Sequence, residues 1–262
     1  MYVAPEPVLK ATDILWHFLR DFLTRAGVPD VPEELDRVTD YRDVWLHPDL
    51  LLSQTCGFPF VKSLRGKVRF VATPCYDHAG CDGSSMRSFV IVNRHAGLST
   101  LNAVRGGRAA INSRDSNSGY NLFRSVLAPV AGGASFFGEI IETGGHEGSI
   151  AAVGEGRADC AAIDCITYGN MARYSPARLK GIAILAETPS GPGLPLITKV
   201  TASDGDVEVL RMALRAAIVA PELVDARARL GLVDFAFLND GEYDRLIALE
   251  QDAAALGYNS VA

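Results

Sequence analysis

The sequence predicts an α/β protein of two lobes, and three observations carry that expectation. Amphipathic helical stretches alternate with short apolar runs in a βαβα rhythm, which implies parallel sheets with helices on both faces. Two stretches rich in Pro, Gly and Ser, "VNRHAGLS" at 92–99 and "ETPSGPGLPLIT" at 187–198, look like a pair of connections between lobes. A chain of 262 residues can bury one large core or two of about 100 residues each. If the chain leaves one lobe at the first connection and returns at the second, lobe 1 comprises 1–96 plus 189–262 and lobe 2 comprises 97–188. Two such crossings describe a hinged interlobe cleft.

The elements follow in order. Ala11, Leu15, Phe18 and Phe22 recur at helical spacing, Asp13, Arg20 and Asp21 turn away, and Gly27 with Pro29 closes this first helix. Strands are expected over 50–53, 68–72, 88–93, 109–112, 136–142, 160–163 and 182–187. Helices are expected to begin near Cys56, Ser99, Gly119, Glu147, Thr167 and Asp206. A last helix over 242–256 presents Leu246, Leu249 and Ala253 on one face, and its expected role is packing against the first lobe.

Composition narrows the partners. The chain carries 25 basic and 31 acidic residues, a formal charge of -6, with no Lys/Arg run able to neutralise a row of phosphates, so nucleic acid is not expected. Apolar runs such as 88–92 and 182–186 fall far short of the roughly 20 residues that span a bilayer, so no membrane insertion is expected. No signal peptide is read at the amino end, which enters an amphipathic helix almost at once. A first helix with no strand before it is unusual in an α/β chain, and is compatible with a start inside the first strand or after a removed leader. A periplasmic or other extracytoplasmic site would follow from a leader; a cytoplasmic one stays open.

The five cysteines, Cys56, Cys75, Cys81, Cys160 and Cys165, form an odd set. Cys75 and Cys81 bracket the turn-rich "CYDHAGC", which suits either a loop-closing disulfide or two thiols. With His78 they offer three metal-ligand types, but no fourth lies nearby and the spacing fits no standard finger, so no metal or other cofactor is expected.

In parallel α/β sheets the ligand crevice lies beyond the carboxyl ends of the strands. Three such ends carry polar groups. In "DLLLSQTCGFPF", Gln54, Thr55 and Cys56 follow a buried strand and open a helix. In "AAINSRDSNSGYNLFR", Ser116, Asn117, Ser118 and Gly119 form a turn at a helix start, where unpaired N–H groups and the dipole favour an oxyanion. In "ETGGHEGSIAAVGEGRADCAAIDCITYGN", His146 sits behind two glycines at a helix start and Asp164 ends a strand. Each group taken alone reads first as a cap or turn residue. Tyr2, Tyr120 and Tyr168 are further candidates to line the cleft, and Trp16 and Trp45 are expected to pack in or near the first lobe.

Together, "DLLLSQTCG", "INSRDSNSGY", "GGHEGSIAAVGEGRADCAAIDC" and "LAETPSGPGLPLIT" resemble the solute-binding components of phosphate, phosphite and phosphonate ABC transporters, over about 48–198 and more loosely beyond. The resemblance implies the type II periplasmic-binding-protein fold, two α/β lobes closing on a ligand, and delivery to a membrane permease rather than catalysis. It carries the family's S-T-S-G anion loop onto Ser116, Asn117, Ser118 and Gly119, the oxyanion-binding His onto His146, and the cleft Asp onto Asp164. Asn117 replaces the usual Thr, and a tyrosine common before the first crossing strand falls near Met86, so the contacts around the anion differ from the family pattern.

The implied mechanism uses uncharged donors: the hydroxyls of Ser116 and Ser118, backbone N–H groups, Thr55 from the other lobe, and His146. Asp164 beside an anion calls for a ligand with a donor or cationic end as well. Two rival readings remain. Cys56 and His146 could serve a Cys-dependent hydrolase or transferase, with Asp164 orienting the His. The same fold could also serve as a cytoplasmic ligand-sensing domain.

Overall fold

The computed structural model describes residues 2–261. From the amino end the chain forms helices α1 (Glu6–Arg25) and α2 (Tyr41–Trp45), strand β1 (Ser53–Gln54), a helical turn α3 (Gly57–Pro59) and the long strand β2 (Val68–Tyr76). There follow β3 (Cys81–Asp82), β4 (Ser85–Met86), β5 (Ser88–Asn93), β6 (Arg108–Ile111), α4 (Leu122–Ala131), β7 (Glu139–Glu142) and α5 (His146–Gly154). The chain continues through β8 (Cys160–Asp164), α6 (Cys165–Tyr174), β9 (Ile182–Glu187), β10 (Gly191–Pro192) and β11 (Leu196–Lys199). It ends with α7 (Asp204–Val219), α8 (Val224–Leu230), β12 (Leu232–Ala236) and α9 (Asp244–Ala255).

The contacts divide the chain into two compact units. Unit 1 comprises Met1–Asp77, Asp82–Ser84 and Gly193–Glu242; unit 2 comprises His78–Cys81, Ser85–Pro192 and Tyr243–Ala262. This differs from the expected lobes of 1–96 plus 189–262 and 97–188. The return near 192 falls within the expected connection, but the outward passage lies at 84–85 and not at 92–99. The reason is strand pairing. Ser88–Asn93 is hydrogen-bonded along its length to β8 on one side and β9 on the other, so it belongs to the unit 2 sheet. The carboxyl-terminal helix also belongs to unit 2, where α9 packs on α4. Its apolar face is the expected one, with Leu246, Leu249 and Ala253 buried, but its expected partner was the first lobe.

Unit 1 holds a sheet of order β1-β11-β2-β12. Every pairing in it is antiparallel. Apolar periodicity reports that a segment is extended but not which way it runs, so the expected parallel sheet is corrected here. Residues 196–198, read from sequence as part of a connection, lie in β11, the strand beside β2. Helix α1 packs on α7 and α8, and α7 on β2 and β12. The face that α1 buries is Val8, Ala11, Thr12, Leu15, Trp16, Leu19 and Leu23, which leaves Phe18 and Phe22 half-buried at its margin.

Unit 2 holds a sheet of order β7-β6-β8-β5-β9. Here β6 is parallel to β7 and to β8, as the βαβ rhythm predicts, while β5 runs antiparallel to both of its neighbours. Val90, Val92, Ile111, Phe123, Leu127 and Phe136 form the centre of its core. Strand β8 is buried from Cys160 to Asp164, so its last residue is a carboxylate 3 % exposed.

None of the five cysteines is in a disulfide bond. Cys75 Sγ lies 3.7 Å from the Thr73 carbonyl, and Cys81 Sγ lies 3.4 Å from Cys165 Sγ, so Cys81 meets a different thiol from the one sequence spacing suggested. Among the described residues no group of three or more His, Cys, Asp or Glu is placed to hold a metal ion. Among the described residues no helix is long and apolar enough to cross a membrane.

Candidate functional site

The serine-rich turn grows out of the end of β6. Ser113 Oγ donates to Asp115 at 2.6 Å, and the Ser116 N–H donates to the Ser113 carbonyl. Ser116 then caps the next element, its Oγ accepting from the Gly119 N–H at 3.0 Å. Residues Asn117–Asn121 make one π-helical turn that passes directly into α4. First-turn N–H groups have no acceptor within the helix, and the helix dipole adds positive potential at this end. The turn is buried: Ser116 and Ser118 are each 4 % exposed and Asn117 2 %. Asn121 fixes it from behind, its Nδ2 donating to Asn117 Oδ1 and to the Leu246 carbonyl while its Oδ1 accepts from Arg124.

The second contribution comes from the loop after β7. Thr143 N–H and the Gly144 N–H donate to the carbonyls of Ile111 and Asn112, which ties this loop to the end of β6. Gly144 has a φ of 79°, a left-handed conformation suited to glycine. Helix α5 opens immediately afterwards with His146. The third contribution is Asp164 at the end of β8, which caps α6: its Oδ1 accepts from the Thr167 N–H at 2.8 Å, and its Oδ2 accepts from the Thr167 hydroxyl.

These three segments meet at one point. Ser118 Oγ lies 2.8 Å from His146 Nε2, and the same nitrogen lies 3.2 Å from Asp164 Oδ2. Ser88 supports the cluster, its Oγ donating to the Ser118 carbonyl at 2.9 Å while its Cα faces Asp164 across the β5–β8 ladder. A carboxylate only accepts hydrogen bonds, which assigns the ring proton to Nε2. Ser118 Oγ then also accepts from that N–H, and its own hydrogen remains to donate elsewhere. Burial holds the His146 pKa below the usual imidazole value, opposed by the Asp164 charge and by the Ala162 backbone. The ring is therefore neutral near pH 7.

This geometry differs from a nucleophilic relay. In a Ser-His-Asp triad the acid holds the ring nitrogen opposite the one that faces the serine. Here Ser118 and Asp164 share Nε2, so the ring has no second path to pass a proton between them.

The other expected site residues fall as follows. Thr55 is buried in unit 1, its N–H on the Pro195 carbonyl and its Oγ1 3.3 Å from the Cys56 carbonyl. Gln54 Nε2 donates to the Leu194 carbonyl, and the Gln54 carbonyl accepts from the Trp45 indole. The Tyr2 ring meets Tyr76 edge-on at 5.8 Å. Tyr120 departs from expectation: its ring lies in the unit 2 core and its hydroxyl accepts from the Val261 N–H, because the carboxyl-terminal segment folds onto α4. Tyr168 packs on Phe89 with ring centres 5.3 Å apart.

Several residues of the cluster escaped sequence reading. Thr167 carried a signal, an Asp followed three positions later by Thr at a helix start. Ser88, Asn112 and Thr143 carried none, since their roles depend on strands distant in sequence. The Asp164 oxygens accept from Thr167 and face the His146 ring.

Comparison with known proteins places this architecture. The structure is similar to a binding protein component of an ABC phosphonate transporter from Pseudomonas aeruginosa, with a TM-score of 0.78 at 17% identity over 98% of this chain and 85% of that one. It is similar to PhnD1 from Prochlorococcus marinus, solved in complex with methylphosphonate, with a TM-score of 0.74 at 17% identity over 94% of each chain. An ancestral arginine-binding protein bound to arginine matches more loosely, with a TM-score of 0.54 at 14% identity over 83% of this chain and 87% of that one. No curated protein matches in sequence. The fold class is thus the two-lobed α/β type II periplasmic-binding-protein fold.

The family model described as "ABC transporter, phosphonate, periplasmic substrate-binding protein" matches residues 49–243. The chain belongs to this family. It is a substrate-binding component of an ABC transporter and not an enzyme, which sets aside the hydrolase reading of Cys56 and His146.

Proposed function

We propose that Ser116, Asn117, Ser118, Gly119 and His146 seat the oxyanion group of a small phosphonate, for handover to a permease in an extracytoplasmic compartment. The observation that carries this reading is the shared Nε2 of His146, which lets Asp164 hold the ring while the Ser118 hydroxyl proton is left for a ligand. Neutral donors fixed by the fold suit a small anion, because they need no reorganisation when it arrives. Asp164 acts through the ring: by accepting from the Nε2 N–H it favours that tautomer, and its Thr167 bonds keep it in place.

Calorimetric titration with methylphosphonate tests the turn directly. Ser118→Ala is expected to weaken binding by about 1–3 kcal/mol, the usual cost of losing a donor to a charged acceptor. Unchanged affinity in a folded variant would remove the turn from the site.

A further inference from the structure

Cys81 Sγ lies 3.4 Å from Cys165 Sγ, although 84 residues separate the two in sequence. Both belong to unit 2. Cys165 opens α6 directly after Asp164, and Cys81 ends a tight turn in which its N–H donates to the His78 carbonyl at 3.0 Å.

This turn rests on the start of α6 through close backbone approaches that hold the two sulfurs together. A Cβ at Gly80 would stand 2.8 Å from Cys165 Cβ and 3.0 Å from the Phe89 ring, and Gly80 has a φ of 93°. A Cβ at Gly169, one helical turn beyond Cys165, would stand 2.5 Å from His78 Nδ1. Both glycines stand where a side chain would collide, so the turn and the helix meet at the closest distance the backbone allows. The Cys165 N–H donates to the Arg87 carbonyl at 3.1 Å, which fixes the start of α6 from the other side.

The anion site proposed above uses neither thiol. Cys165 is fully buried and Cys81 half-buried. Contact with the Cys81 thiol, together with burial, pushes the Cys165 thiol up, so Cys165 is protonated and Cys81 is the sulfur that a reagent in solution can reach.

We propose that Cys81 and Cys165 are a modification site, joined into a cross-link by a disulfide oxidant. In the first step Cys81, as thiolate, attacks one sulfur of the oxidant R–S–S–R; a Cys81–S–S–R bond forms and RS⁻ leaves, taking up a proton. In the second step the Cys165 thiol gives up its proton and attacks Cys81 Sγ, forming the Cys81–Cys165 bond and expelling the second RS⁻, which is protonated in turn. Two cysteine thiols are oxidised, one external disulfide is reduced to two RSH, and the protons lost by the cysteines equal those gained. The bond links residues 84 apart, and closing so long a loop restricts the unfolded chain, so the cross-linked protein is expected to resist denaturant better than the reduced one. The cross-link requires no ligand, so its absence would leave the phosphonate reading untouched.

In the test, the reduced full chain is freed of reductant and incubated with oxidised glutathione. Remaining thiols are then alkylated in denaturant and the protein is mapped by mass spectrometry. Cys81 and Cys165 are expected to escape alkylation and to appear as one linked peptide pair, with a rise in the denaturant midpoint that reductant reverses. Cys165→Ser is expected to stop the reaction at its first step, leaving glutathione on Cys81, while Cys81→Ser leaves Cys165 alkylated. The parent protein carries the main readout, so it does not depend on either variant folding. Separate alkylation of Cys81 and Cys165 in folded, oxidant-treated protein would overturn the proposal. So would a linked pair joining Cys81 to Cys75, or a glutathione adduct confined to Cys56.

Discussion

Gly119→Ala is expected to lower the stability of the protein by about 1–3 kcal/mol, the range for overpacking a well-filled site, and to weaken methylphosphonate binding by about 100-fold or more. A Cβ at residue 119 would stand 1.8 Å from Asn112 Oδ1 and 2.6 Å from its Cγ. The Asn112 backbone is held by its carbonyl, which accepts the Gly144 N–H at 2.9 Å, so the collision is relieved by rotation of the Asn112 side-chain amide or by movement of the turn, which carries the Ser116 cap on the Gly119 N–H and the Ser118 contact to His146 with it. Denaturant unfolding and calorimetry measure the two effects. The cause can be isolated with a double-mutant cycle: Asn112→Ala removes the obstructing amide, so adding it to Gly119→Ala should recover stability beyond the additive value. Additive losses would show that the Asn112 collision is not the reason for glycine at this position.

His146→Ala is expected to reduce methylphosphonate binding by about 10–100-fold, through loss of the group that contacts Ser118 and that, in the proposed site, faces the anion. The same side chain makes stability depend on pH, and the sign follows from its environment. Burial lowers the folded-state pKa below the usual value near 6.5, so in the interval beneath that value the unfolded chain binds a proton that the folded chain does not. The stability associated with the neutral ring is present in full above about pH 6.5 and declines as pH falls toward the depressed folded-state value. Unfolding free energies measured between about pH 5 and 8 should show this decline in the parent protein. His146→Gln, which keeps an N–H donor for Asp164 but does not titrate, should flatten it. An equal decline in His146→Gln would assign the pH dependence to another group.

How much of this was legible beforehand depends on the range of the interaction. Strands 88–93 and 182–187 were read at their observed boundaries, because short apolar runs are a local signal. Their neighbours were not legible. That β5 sits antiparallel between β8 and β9, and so draws the unit boundary back from 97 to 85, depends on pairings across nearly 100 residues. The antiparallel sheet of unit 1 escaped for the same reason. In the site, Ser116 as a cap, His146 at a helix start and Asp164 at a strand end were all local patterns. Their meeting on one imidazole nitrogen required the topology of β6, β7 and β8. Tyr120 shows the same limit from the other side, since nothing local to it signals that its hydroxyl accepts from the Val261 N–H near the chain terminus.

The central claim is that the turn at 116–119 and the His146 ring together receive the oxyanion. Titrating ¹⁵N-labelled protein with methylphosphonate and following amide and imidazole resonances tests it most directly. The account predicts saturable shifts largest at the Ser118 and Gly119 amides and at His146 Nε2, with the ring remaining neutral. Saturable binding that leaves those resonances in place would contradict it.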